Sequence, residues 1–391
     1  MDKPKAVIIG AGFTGCATAH DLALRGFDVT VVERGPIANG ASGRTHGLLH
    51  SGGRYAVDDQ EAAIECIEEN LLLRRLAAEC LEQNGGLFVA LNESDLEYAH
   101  RWTQSCERCN IPVEQVDIKQ ALVWEPNLTP KILAAYTIPD ATFDPLRLAL
   151  TFAATAQANG ARFRLFTEVE GLIERNGKIQ GVRCQDRTTG KSSELYADCV
   201  INASGAWAGK IAQMAGDTTI VVKPTPGVMV AYDQRLCNRV INRLNEPGDG
   251  DIIVPQRRMV VIGTTSFEVD EVDYIPVFED QVQMMRDCAI QLIPAVAAAR
   301  QRGAFMAARP LIGSSTSGRS IARTFKCFDH QETHGIGGLV TITGGKATTL
   351  RAMAEKTADT VCAKLGITAS CQTREYPLRS YREFRGNDAY H

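Results

Sequence analysis

No stretch of this 391-residue chain is apolar over the roughly 20 residues that a bilayer-spanning helix requires, so a membrane anchor is not expected. Basic residues are no excess either: 42 Lys and Arg stand against 46 Asp and Glu, for a net charge of −4. That balance excludes the basic surface on which general nucleic-acid binding depends. The chain opens directly on a strand-like run, KAVIIG, and a signal peptide is not expected. Cysteine is plentiful at 12, yet only Cys106 and Cys109 have CxxC spacing. A zinc or iron–sulfur site takes about four ligands, so the expectation is reduced, buried thiols and no metal.

What is present starts at residue 5. KAVIIGAGFTGCATAHDLALRGFDVTVVE reads as a short buried strand, a glycine turn, a helix and a second strand ending at Glu33. The turn is Gly10-x-Gly12-x-x-Gly15. In this fingerprint the first glycine makes the tight turn and the second admits a pyrophosphate to the backbone. The third lets helix pack on strand, and the helix start faces the diphosphate. The acid at the end of the second strand accepts from ribose hydroxyls. This much predicts a dinucleotide, and both NAD and FAD satisfy it.

The next segment favours flavin. GPIANGASGRTHGLLHSGGRY, residues 35–55, is too rich in Gly, Ser and His for a core element and suits a loop that tracks an extended cofactor. Later, CVINASG leads from a strand into Ala203, Ser204 and Gly205 at a helix start, a second backbone approach. Between them RFRLFTEVEGLIERNGKIQGVRCQD reads as a strand meander with an Asn-Gly turn at 176–177. This order of pieces resembles the FAD-dependent D-amino-acid-oxidase-like superfamily. Within it, HGLLHSGGRYAVDDQEAAIECIEEN, DIIVP, VIGTTS, ARPL and TITGGK resemble the flavin-dependent glycerol-3-phosphate dehydrogenases, most closely the catalytic A subunits of the bacterial anaerobic enzymes. Those continue into a cysteine-bearing iron–sulfur domain that residues 1–391 do not include.

The resemblance implies an α/β fold: a Rossmann-like FAD-binding domain interleaved with an antiparallel-sheet substrate domain. The expected division is 1–88, 143–218 and 306–391 for the first, and 89–142 and 219–305 for the second. FAD contacts are expected from Gly10, Gly12, Phe13, Thr14, Gly15, Glu33, Arg34, Ser42, Arg44, Thr45, His46, Gly47, Leu48, Val169, Ala203, Ser204, Gly205, Gly344, Gly345, Lys346, Ala347 and Thr348. A Gly-Gly-Lys helix start beside reduced flavin stabilises its negative charge through Lys346 and the helix dipole.

Oxidising a secondary alcohol also needs a base with a pKa near the operating pH, which favours histidine. His50 is the expected base, with His46 positioning FAD. Arg54, Arg309 and Arg323 are carried over as the anion-binding set, since arginine's planar fork suits phosphate or carboxylate oxygens. Electrons are expected to leave for a partner subunit or a quinone. A cytoplasmic protein with peripheral contact at the inner face of the cell membrane follows.

Two departures bear on the substrate. Where the family shows a Lys-Gly-Ser-like stretch, this chain has KPTPGVMVAY, with Pro226 before the glycine; Thr45 replaces an asparagine. Beside glycerol 3-phosphate, another anionic polyol or a hydroxy acid is therefore open as substrate. An oxidase or dehydrogenase of a 2-hydroxy acid or amino acid, its carboxylate on Arg309, stands as the alternative, with a non-catalytic electron-transfer flavoprotein behind it. The FEDQVQMMRDCAIQLIPAV segment is expected as an amphipathic helix, and residues 371–391 as a loosely docked tail.

Overall fold

Strand β1 (Lys5–Ile9) buries every residue but its first, because both faces of its sheet are covered. Helix α1 (Phe13–Leu24) is buried almost all round for a similar reason: it lies between this sheet and the helices Pro145–Ala158 and Leu350–Leu365. Small residues such as Gly15, Ala17 and Ala19 permit that close approach. Strand β2 (Asp28–Val32) pairs parallel with β1 from Lys5↔Asp28 to Ile9↔Val32. These are the first elements of a computed structural model that describes residues 3–269, 271–312 and 324–386.

In space the first sheet runs Phe325–Asp329, Leu339–Gly344, Cys199–Asn202, β1, β2, Arg162–Arg164. Only its first pair is antiparallel. A three-stranded meander, Thr167–Arg175, Lys178–Asp186 and Ser192–Tyr196, turns at Asn176 and Gly177, both with positive φ. That is the turn an Asn-Gly pair favours.

A second sheet of eight strands carries the other unit. Its hairpin pairs Ile252–Gln256 with Met259–Gly263 around an exposed Arg257-Arg258 turn. Helix Glu279–Leu292 seals one face with Val282, Met285, Ala289 and Leu292, leaving Met284 outward. The sheet is not wholly antiparallel: Val240–Arg243 runs parallel to Gly86–Ala90. The division expected at 88 falls inside Gly86–Ala90, and that at 306 inside Gln301–Ile312; both strands lie in this large sheet.

The tail also differs from expectation. The Arg379 amide donates to Thr155 Oγ1 at 2.9 Å and the Tyr381 amide to Glu79 at 3.0 Å. Phe384 packs edge-on to Phe163 at 5.4 Å, so residues 371–386 are firmly docked by groups that composition alone does not reveal. The CxxC cysteines, Cys106 and Cys109, are buried free thiols, and no metal-binding cluster occurs among the described residues. No helix among them is long and apolar enough to cross a membrane.

Candidate flavin and substrate site

A cavity of about 1090 Å³ is walled by residues of both large sheets, more room than a drug-sized ligand needs. Its first wall is the fingerprint. Gly10 has φ +103°, and a Cβ there would meet Ala203 O at 2.7 Å. The turn is thus pressed against the 203–205 segment, and both backbones face the cavity. Helix α1 has Gly12 as its N-cap, with no side-chain cap and no acid in its first turn. The Phe13 amide donates to Ser42 Oγ at 2.9 Å. A helix start with no acid in its first turn is a site for an anionic diphosphate. Glu33 is held at the rim by the Ala11 and Gly35 amides, at 2.9 and 2.8 Å.

The second wall is built by the 41–55 loop and the Gly344–Lys346 turn. Both glycines of that turn have positive φ, +85° and +70°, which a side chain would strain. They bring Lys346 to the cavity, where its ammonium lies 3.6 Å from Glu65 and 5.2 Å from the Tyr55 ring centre. His46 and His50 stand edge to face at 5.9 Å, and His50 lies 5.3 Å from Tyr55. Burial, with the charges of Arg54 and Arg309 added, lowers the His46 pKa to about 4. His46 is therefore neutral near pH 7. Its Nδ1 accepts from the Leu48 amide at 3.1 Å, which leaves the proton on Nε2.

Two arginines complete this wall. Arg54 donates to Gly248 O at 2.9 Å and meets Asp251 at 3.3 Å. Arg309 is fastened more firmly, donating to the carbonyls of Thr225, Pro226 and Thr265 and to Thr264 Oγ1 at 2.9–3.3 Å. Both guanidiniums line the cavity with their orientation set by the large sheet and its loops.

A bare fingerprint, a fixed acid and a cavity of this volume together fit a flavin dinucleotide. Residues 5–359 match the FAD dependent oxidoreductase (DAO) family. The chain belongs to that family. It is 41% identical to the A1 subunit of the anaerobic glycerol-3-phosphate dehydrogenase of Haloferax volcanii, over 98% of this chain and 67% of that protein. Against the corresponding A subunit of the Escherichia coli K12 enzyme the identity is 42%, over 96% of this chain and 70% of the relative. A similar fold occurs in the glycerol-3-phosphate dehydrogenase of Bacillus halodurans complexed with FAD, with TM-score 0.74 and 24% identity over 96% of this chain and 68% of that one. Glycine oxidase of Geobacillus kaustophilus shares the fold at TM-score 0.76 and 21% identity, over 96% and 99% of the two chains.

Within this DAO-family protein, most residues expected at the cofactor do line the cavity, as do His50, Arg54, Arg309 and Lys346. Three do not. Gly15 serves packing, since a Cβ there would stand 1.9 Å from Gly10 O. Gly47 is buried where a Cβ would meet the Gln256 amide nitrogen at 2.0 Å. Thr348 is buried behind the cavity and accepts the His50 amide at 3.1 Å. Arg323 lies outside the described residues. The sequence reading missed Tyr55, Glu65, Trp207 and Asp273. Tyr55 and Trp207 were legible as aromatics inside glycine-rich loops, whereas nothing in their own segments marks Glu65 or Asp273.

Proposed function

We propose that the protein oxidises the secondary alcohol of glycerol 3-phosphate, or a closely related anionic polyol, to the ketone. FAD supplies the hydride acceptor, N5 of the isoalloxazine. The observation that carries this reading is the convergence of Arg54, Arg309, Lys346 and His50 on the cavity that also holds the dinucleotide fingerprint. The names of the 41–42% identical relatives support it.

In this reading Arg309 and Arg54 bind the phosphate, with forks already oriented by Thr265, Thr225, Gly248 and Asp251. Pre-orientation spares the entropy of ordering them on binding. His50 takes the hydroxyl proton as the carbon-bound hydrogen leaves as hydride. His46, neutral, donates from Nε2. Lys346, paired with Glu65 at 3.6 Å, would face the negative charge that develops on reduction. Electrons then pass to a partner subunit, a reading that the subunit names of the relatives support, or to a quinone, and the protein works in the cytoplasm with peripheral membrane contact.

One observation favours a second reading. Pro226 stands where the resemblance to the dehydrogenases implies a lysine, and Lys223 pairs outside the cavity with Glu268 at 3.9 Å. With one cation fewer, the Arg309 fork serves a carboxylate as well, which fits a 2-hydroxy acid or an amino acid. Anaerobic flavin bleaching decides between them, using glycerol 3-phosphate, glycerol, lactate and glycine in parallel. Rapid bleaching by glycerol 3-phosphate alone is expected. Faster bleaching by lactate or glycine overturns the phosphate assignment, and bleaching by none of them overturns the enzyme.

A further inference from the structure

The loop between strand Met259–Gly263 and helix Glu279–Leu292 sends one carboxylate across to the fingerprint unit. Asp273 Oδ1 accepts from Arg34 Nη2 and from Trp207 Nε1, each at 2.8 Å, and Oδ2 accepts from Lys210 Nζ at 3.4 Å. The Arg34 guanidinium lies 4.2 Å over the Trp207 ring, so one carboxylate fixes a stacked cation and indole together. All four residues wall the cavity. Arg34 directly follows Glu33, the acid that closes the fingerprint, and Trp207 and Lys210 follow the Ala203–Gly205 turn. Val272 packs against Ala206 and Ala308, anchoring the loop beside the polar contact. The Glu271 carboxylate accepts the Val272 and Asp273 amides, which sets the loop's approach.

We propose that Asp273 is a positioning residue that retains the dinucleotide. It latches a loop of the large-sheet unit onto Arg34, Trp207 and Lys210, so the nucleotide part of the cavity stays closed until those bonds part. The latch rests on the reading of the cavity as an FAD site. Its polar half is partly exposed, with 48% of the Asp273 side chain accessible, so ions in solution reach and weaken it.

The test is the rate at which the purified holoprotein releases FAD, followed by the rise in free-flavin fluorescence after dilution. Asp273→Asn keeps shape and removes charge; release is expected to be about tenfold faster, the size of one or two charge-assisted hydrogen bonds. Asp273→Glu should restore slow release. Trp207→Phe, which keeps an aromatic ring but loses the N–H, should fall between. Added salt should speed release from the wild type and leave Asp273→Asn nearly unchanged. Equal release rates in wild type and Asp273→Asn overturn the proposal, as does a lower melting temperature of the apoprotein with unchanged release. Failure of the functional reading shows differently: the wild type then holds FAD with slow release, yet glycerol 3-phosphate does not bleach it.

Discussion

The His50 amide donates to Thr348 Oγ1 at 3.1 Å, although 298 positions separate the two residues in the chain. One hydroxyl thus ties the loop carrying the proposed base to the turn carrying Lys346. Thr348→Val removes the acceptor and keeps the volume. A neutral hydrogen bond of about 0.5–1.5 kcal/mol sets the expected loss in kcat at roughly twofold to tenfold. Thr348→Ser should keep most of the rate. An unchanged rate in the valine variant would show that His50 is held without this bond.

Arg309→Ala should lower kcat/KM for glycerol 3-phosphate by at least about tenfold, given charged hydrogen bonds worth ~1.5–3 kcal/mol. Arg309→Lys should rescue little, because an ammonium cannot replace a planar fork bound to several acceptors at once. Steady-state assays on both variants, beside uncharged glycerol as substrate, provide the check. Equal use of glycerol and its phosphate by the wild type would dispose of the anion pocket.

Gly12→Asp should leave the protein colourless. A Cβ at this position would stand 3.0 Å from Ser42 Oγ, and a carboxylate would sit at the helix start reserved for a diphosphate. Flavin absorbance per protein, with circular dichroism to confirm folding, measures this; a normal yellow variant would contradict the cofactor assignment.

His20 is fully buried between Phe152 and Tyr376, and burial lowers its pKa to about 4. The unfolded chain protonates such a histidine near 6.5. Between those values the unfolded state binds the extra proton, so stability is complete above pH 6.5 and declines as pH falls toward 4. His46 acts in the same direction. The slope per histidine is at most about 1.4 kcal/mol per pH unit. Urea unfolding between about pH 7.5 and about pH 4.5 should show a shallower decline for His20→Leu than for the wild type. Parallel curves would place the acid sensitivity elsewhere.

Electron transfer to oxygen is expected to be slow. A dehydrogenase that serves a partner subunit or quinone should reduce an artificial dye much faster than it forms hydrogen peroxide. The comparison needs one substrate at saturation and two acceptors. Peroxide formation at the dye rate would instead identify an oxidase.

The local elements were written in local chemistry. A strand, three spaced glycines, a helix and an acid form the fingerprint because each step depends on neighbours a few residues away. The Asn-Gly turn, the Arg257-Arg258 hairpin and the helix over Glu279–Leu292 follow from turn preference and apolar spacing in the same way. The order of the segments also carried the family. What only the tertiary structure decided is which distant groups share a bond. Arg54 faces Asp251, Lys346 faces Glu65, and Asp273 gathers Arg34, Trp207 and Lys210. Strand Gly86–Ala90 took Val240–Arg243 as a parallel neighbour, which no periodicity specifies. Side-chain period and turn type are set over a few residues, whereas these contacts join residues tens to hundreds of positions apart. They exist only once the two sheets have packed and brought these distant groups together; the least exposed of the pairs, Arg54 with Asp251, also answers the cost of leaving a buried charge alone.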